Sequence, residues 1–132
     1  GEKGKLYAFD QDPYAKKNAN LIDDKRLVFI EANFRYIKKY VALARDLELD
    51  NEKRSVKLIK KFKLPIDTKL YIKKANAYVL FYNYMLITRR WCKPNNSPSR
   101  NPILLAECSD KFNMSYDKLS DDLLNAFILA EI

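Results

Sequence analysis

The chain has 132 residues with 25 Lys or Arg, 17 Asp or Glu and no histidine, a net charge of +8. That length suits a single domain over 1–132, and a composition 48% hydrophobic and 13% aromatic favours a packed core over disorder. Without histidine the chain lacks the usual general base and the commonest metal ligand, and its two glycines, both within the first four residues, leave no glycine loop to cradle phosphate and few residues suited to left-handed turns.

Taken in order, Lys5 to Phe9 is a short apolar run that reads as a strand, and Pro13 stands where a helix can begin. The segment Pro13 to Ile22 is a weak, mostly polar helix. Residues Arg26 to Glu31 support two incompatible readings. In one, 27–31 is a buried strand and Asn33 caps a helix from Phe34 to about Leu47. In the other, Leu27, Ile30, Phe34, Ile37, Val41 and Ala44 follow the three-four spacing of one continuous helix capped near Asp23 or Asp24. Periodicity alone leaves both open.

Asn51 to Lys63 is helical in pattern, with Val56, Ile59 and Phe62 inward, and Pro65 stops it. Asp67 or Thr68 then caps the longest candidate helix, from about Lys69 to Arg90. Its apolar residues from Ala75 to Ile87 cover more than one stripe, so its middle is expected to be surrounded, although the same residues would also serve as strands. Residues 93–102 hold three prolines, two serines and three asparagines and read as a loop. A short helix follows from Ile103 to Phe112. A last one starts at Ser115 or Ser120 with Asp121 and Asp122 in its first turn and buries Leu123, Leu124, Phe127 and Ile128. The expected class is predominantly α with short strands near 5–9 and 27–31, the alternative being an all-α bundle of five to six helices.

The positive charge is local. Residues 53–93 hold twelve Lys or Arg and one acid, Asp67, whereas 101–132 hold two basic and six acidic residues. Cations interleaved with rings are what a polyanion-binding surface needs, and Lys57, Lys60, Lys61, Lys63, Lys73, Lys74, Arg89, Arg90 and Trp91 are the candidate nucleic-acid contacts. A lysine-rich helix face is also simply how a solvated helix looks. The acidic carboxyl-terminal helix, if laid across these lysines, would neutralise them. Cys92 and Cys108, with no signal-peptide pattern, fit free structural thiols in a reducing, cytoplasmic compartment. The longest apolar run, Ala77 to Ile87, is too short to cross a bilayer.

The pieces GKLYAFDQDPYAKKN and DDKRLVFIEANFRYIKKY resemble two successive strand-helix units of the bacterial family that methylates a cytosine N4 of small-subunit ribosomal RNA with S-adenosylmethionine, over roughly residues 4–40. The resemblance implies a strand at Arg26 to Glu31. It also implies that Asp10 accepts hydrogen bonds from the cofactor's ribose hydroxyls and that Asn33 and Phe34 lie near its adenine; an ionised carboxylate suits a vicinal diol because it only accepts. Residues 54–64 and 86–107 look more loosely like the family's late helix, terminal strand and basic tail. The family's glycine-rich cofactor loop and catalytic strand have no counterpart here, so no catalytic residue is carried over and no metal ligand is assigned.

Two functions of different class follow. One is a small basic RNA-associating domain built from methyltransferase pieces, without catalysis of its own, its affinity falling steeply with salt. The other is a helical module that binds a partner protein helix, similar in a cyclin-box-like or viral Bcl-2-like way, which predicts one continuous helix from about Asp24 to Leu47. An active S-adenosylmethionine-dependent RNA methyltransferase would need a site beyond these residues.

Overall fold

The computed structural model describes residues 24–132, with side chains from Asn33 onward. Within it the chain is predominantly α, and no strand occurs among the described residues. Helix α1 runs Asp24–Lys61 for 38 residues, about 57 Å at 1.5 Å per residue. Helix α2 runs Thr68–Thr88, a 3-10 turn spans Pro98–Arg100, and α3 (Pro102–Glu107) and α4 (Asp121–Leu129) complete the chain. The strand expected at 27–31 is therefore corrected: those residues lie inside α1, because the three-four spacing that begins at Leu27 continues without a break through Phe34, Ile37 and Val41. The expected strand at 5–9 and the weak helix after Pro13 lie outside the described residues.

The long helix is also longer than either reading allowed. It absorbs the separate helix expected from Asn51, since no proline or glycine interrupts 24–61. Its inner face carries half-buried Ile37, Val41, Arg45, Glu48 and Glu52 and buried Val56 and Ile59. Phe62, expected inward, is 63% exposed because the helix has already ended.

Without glycine, the helices stop on other residues. Lys63 takes a left-handed φ of 50°, and behind it Lys63 N donates to Lys60 O at 3.3 Å and Leu64 N to Ile59 O at 3.0 Å. Glu131 (φ 57°) ends α4 in the same way, with Glu131 N donating to Ile128 O and Ile132 N to Phe127 O. Arg89 (φ 57°) ends α2 by donating its N–H to Met85 O at 2.8 Å. These bonds satisfy carbonyls that a helix end would otherwise leave bare, but a Cβ makes the conformation costly.

A short connection around Pro65 turns α2 back along α1. Asp67 caps α2 by accepting from Leu70 N at 3.1 Å. Register is fixed by Arg45, which donates from Nη1 to Asn83 Oδ1 at 3.1 Å. The expected wrapping of α2 is borne out: Ala75, Ala77, Val79, Leu80, Phe81 and Tyr84 are all buried. One side of α2 meets α1. The other meets Leu104 and Cys108, and then α4, where Tyr84 stacks on Phe127 with centroids 4.8 Å apart and planes 16° from parallel.

Two asparagines one heptad apart on α2 then hold the segment after α3. Asn76, fully buried, donates to Ser109 O and Lys111 O, each at 2.9 Å, and accepts from the Tyr116 hydroxyl at 2.6 Å. Asn83 donates to Tyr116 O at 2.9 Å. This capture corrects the extent of α3. Its expected run to Phe112 stops at Glu107 because the carbonyls of 109 and 111 bond to a side chain on another helix instead of continuing the ladder.

Candidate nucleic-acid interface

Lysines from three segments meet where α1 ends and α2 begins. Lys60 from α1, Lys69 from the first turn of α2 and Lys111 from the segment after α3 line an open cleft of about 480 Å³, together with Asp67, Thr68, Ile72 and Asp110. Lys53, Lys57 and Lys60 recur at i, i+4 and i+7, so one exposed basic stripe on α1 leads into it. Lys61 and Lys63 continue the charge past the helix end, and the Lys61 ammonium lies 5.5 Å from the centre of the exposed Phe62 ring. The ion pairs among the described residues are Arg45–Asp46 and Arg54–Asp50, both at 3.0 Å, so no lysine of the cleft is paired with a carboxylate. Asp67 is committed to capping α2, which leaves Asp110 as the acid facing the cations.

The remaining candidates lie elsewhere. Lys73 sits beside Cys108, whose thiol burial pushes up to about 11 against the pull of that lysine. Lys74 lines a second open cleft, about 350 Å³, with Glu48, Glu52, Tyr71, Ala75, Tyr78 and Ser99. Burial, and then the neighbouring Glu52, raise the Glu48 carboxyl above its ordinary value. Burial likewise pushes the Tyr82 phenol to about 12, with Tyr78 adding to it. The two carboxyl groups of Glu48 and Glu52 make the cleft beside Lys74 poorly suited to phosphate.

Arg89, Arg90 and Trp91 follow the far end of α2, about 30 Å from Lys69 along the helix axis. Arg89 is half-buried at the helix stop, whereas Arg90 is exposed. Trp91 is 51% exposed and packs edge-on against Phe81 (5.1 Å), Tyr78 (6.2 Å) and Tyr82 (6.4 Å), so much of the ring serves packing. The nine predicted contacts thus do not form one surface. The structure brings Lys57, Lys60, Lys61 and Lys63 together, and adds Lys69 and Lys111, which the sequence reading missed.

The acidic carboxyl-terminal helix docks through its apolar side, with Leu123, Ala126 and Phe127 buried, and leaves Asp121 and Asp122 exposed. Its expected stripe is corrected in one position, since Ile128 is 56% exposed on the side of α4 opposite the buried Leu123, Ala126 and Ala130. Cys92 and Cys108 are both free thiols.

Of the residues implied for a cofactor, Asp10 lies outside the described residues. Asn33 and Phe34 stand inside α1, not past the end of a strand, and Phe34 is 6% exposed. Among the described residues no group of three or more His, Cys, Asp or Glu side chains is placed to hold a metal ion, and no helix is long and apolar enough to cross a membrane.

Part of the chain is similar to curated bacterial proteins named ribosomal RNA small subunit methyltransferase H. The identity is 58% over 40 residues with the protein of Cytophaga hutchinsonii, 49% over 41 with that of Flavobacterium psychrophilum and 51% over 41 with that of Christiangramia forsetii. These segments make up 30–31% of this chain and 13% of each relative. No family model and no solved structure matches. The resemblance is thus partial, to a short piece of an rRNA methyltransferase, in a chain whose described residues are predominantly helical.

Proposed function

We propose that this chain is a small RNA-associating unit of methyltransferase-like origin, which holds a phosphate backbone at the cleft of Lys60, Lys69 and Lys111 and has no catalysis of its own. The observation that carries this reading is the convergence of three unpaired lysines on one open cleft, Lys60 and Lys69 from either side of the turn between α1 and α2 and Lys111 from far along the sequence, with Lys57, Lys61 and Lys63 beside it. Such an arrangement supplies point charges for phosphate without base-reading geometry, so binding would be largely indifferent to sequence. The exposed Phe62 offers a ring on which a base can stack.

The relatives are named ribosomal RNA methyltransferases, which favours RNA over other polyanions as the partner. S-adenosylmethionine is not required by this reading. The free thiols fit a reducing compartment.

The test is fluorescence polarisation of a short labelled single-stranded RNA titrated with the whole chain across a salt series. With six phosphates neutralised, the log–log slope of affinity against salt is about −4 to −5. Binding that is absent at low salt, or that ignores salt, sinks the proposal.

A further inference from the structure

Helix α1 is apolar on two opposite sides. The inner side meets α2, as described. On the outer side Tyr36, Tyr40, Leu43 and Leu47 repeat at intervals of four, three and four residues, and they are 64%, 65%, 56% and 63% exposed. That spacing is the seam of a paired helix, where knobs from one helix enter holes on the next. The stripe is bounded at its carboxyl-terminal end, since its next two positions are Asp50 and Arg54, joined to each other at 3.0 Å.

We propose that the stripe is covered by a second copy of this chain, with the two α1 helices running antiparallel. Charge decides both the occupant and the direction. Lys39 and Asp46 flank the stripe on the same side, one heptad apart, and Asp46, already bonded to Arg45 through Oδ1 at 3.0 Å, keeps its other oxygen for a second cation with the side chain 64% exposed. In an antiparallel pair the layers are Tyr36 on Leu47 and Tyr40 on Leu43, each occurring twice. Lys39 of each copy then comes beside Asp46 of the other, which gives two equivalent ion pairs about a two-fold axis. A parallel pair in register would instead stack tyrosine on tyrosine and leave Lys39 facing Ala44 and Asp46 facing Asn51. The ring-on-leucine layers and the complementary charges both follow only from the antiparallel arrangement.

Four side chains per copy cover less than the ~1,200 Å² of a standard interface, so the pair forms at micromolar to submillimolar concentration. The surface is independent of the lysine cleft and of any RNA it holds.

Sedimentation velocity of the 132-residue chain, run up to ~300 µM, reads the association directly. The expected result is a reversible monomer–dimer equilibrium whose dissociation constant rises at least ~tenfold in Leu43→Glu and in Lys39→Asp. The double variant Lys39→Asp/Asp46→Lys is expected to return to within ~threefold of the parent, because the swapped charges still meet in the antiparallel pair. Circular dichroism of each variant checks that the helix is retained. A chain that stays monomeric throughout, as it would if residues 1–23 or another protein cover the stripe, overturns the proposal. So does a dimer indifferent to Leu43→Glu, or one that the charge swap fails to restore.

Discussion

The Tyr116 hydroxyl donates to the Oδ1 of Asn76 across 2.6 Å, joining two residues forty positions apart in the sequence. With the same side chain's donors on Ser109 O and Lys111 O, this makes Asn76 the post to which the segment after α3 is tied. It also connects packing to the proposed interface, since Lys111 lines the lysine cleft from a backbone that Asn76 holds.

Replacing Asn76 by Ala strips three hydrogen bonds from a fully buried position, taking the side-chain donors from two carbonyls and leaving the Tyr116 hydroxyl with only the Met114 backbone as partner. The expected loss is about 2–4 kcal/mol of stability in urea unfolding. Tyr116→Phe removes the bond to Asn76 and the one to the Met114 backbone but spares the amide's two bonds to Ser109 O and Lys111 O, and should cost about 1–2 kcal/mol. Equal small losses for both would show that Asn76 is not the anchor.

The left-handed helix stops at Lys63 and Glu131 predict the opposite sign. Lys63→Gly and Glu131→Gly each relieve a Cβ clash at φ 50° and 57°, and each should stabilise the fold by about 0.5–1 kcal/mol, a net figure after the greater freedom of glycine in the unfolded chain. Thermal unfolding of the two single variants measures it. A fall in melting temperature in both would contradict the geometry of these ends.

Glu48 gives a pH dependence. Its carboxyl is raised above the ordinary 4.5 by burial and then by Glu52, so the folded chain holds that proton more tightly than the unfolded one. Stability from this group is present at low pH and is lost as pH climbs from about 4.5 through the raised value. Glu48→Gln cannot titrate and should unfold at a higher temperature than the parent at neutral pH, with the gap closing in acid. Parallel melting curves from acid to neutral pH would show that the carboxyl is not perturbed.

Much of the fold is legible in the chain's local chemistry. Asp67 before an apolar run, Ser120 before two aspartates, and the proline-rich loop from Lys93 each mark their boundaries, and α2 wraps its apolar residues on several sides as their distribution demands. What is not legible comes from contacts across the fold. The strand or helix choice at 27–31 turns on whether the spacing runs on, which a window of five residues does not reveal. The early end of α3 depends on Asn76, which no pattern within 102–112 announces.

The candidate site divides in the same way. Lysines close together on α1 were visible as a charge run. Arg89, Arg90 and Trp91 belong to the same run but not to the same place, because a straight helix of 21 residues separates them from it. Lys69 is hidden by its position in a helix read for its core, and Lys111 by lying in the acidic part of the sequence. A signal existed for Lys111 in the buried amide of Asn76, which must find partners somewhere.

The most direct measurement compares RNA binding by two variants across the same salt series. Lys60→Gln/Lys69→Gln/Lys111→Gln removes the cleft, and Arg90→Gln removes an exposed cation at the far end of α2. The account predicts that the triple variant loses affinity and that its salt slope shrinks by about one for each lysine, while Arg90→Gln stays close to the parent. Equal losses in the two, or a triple variant that binds as the parent does, would contradict it.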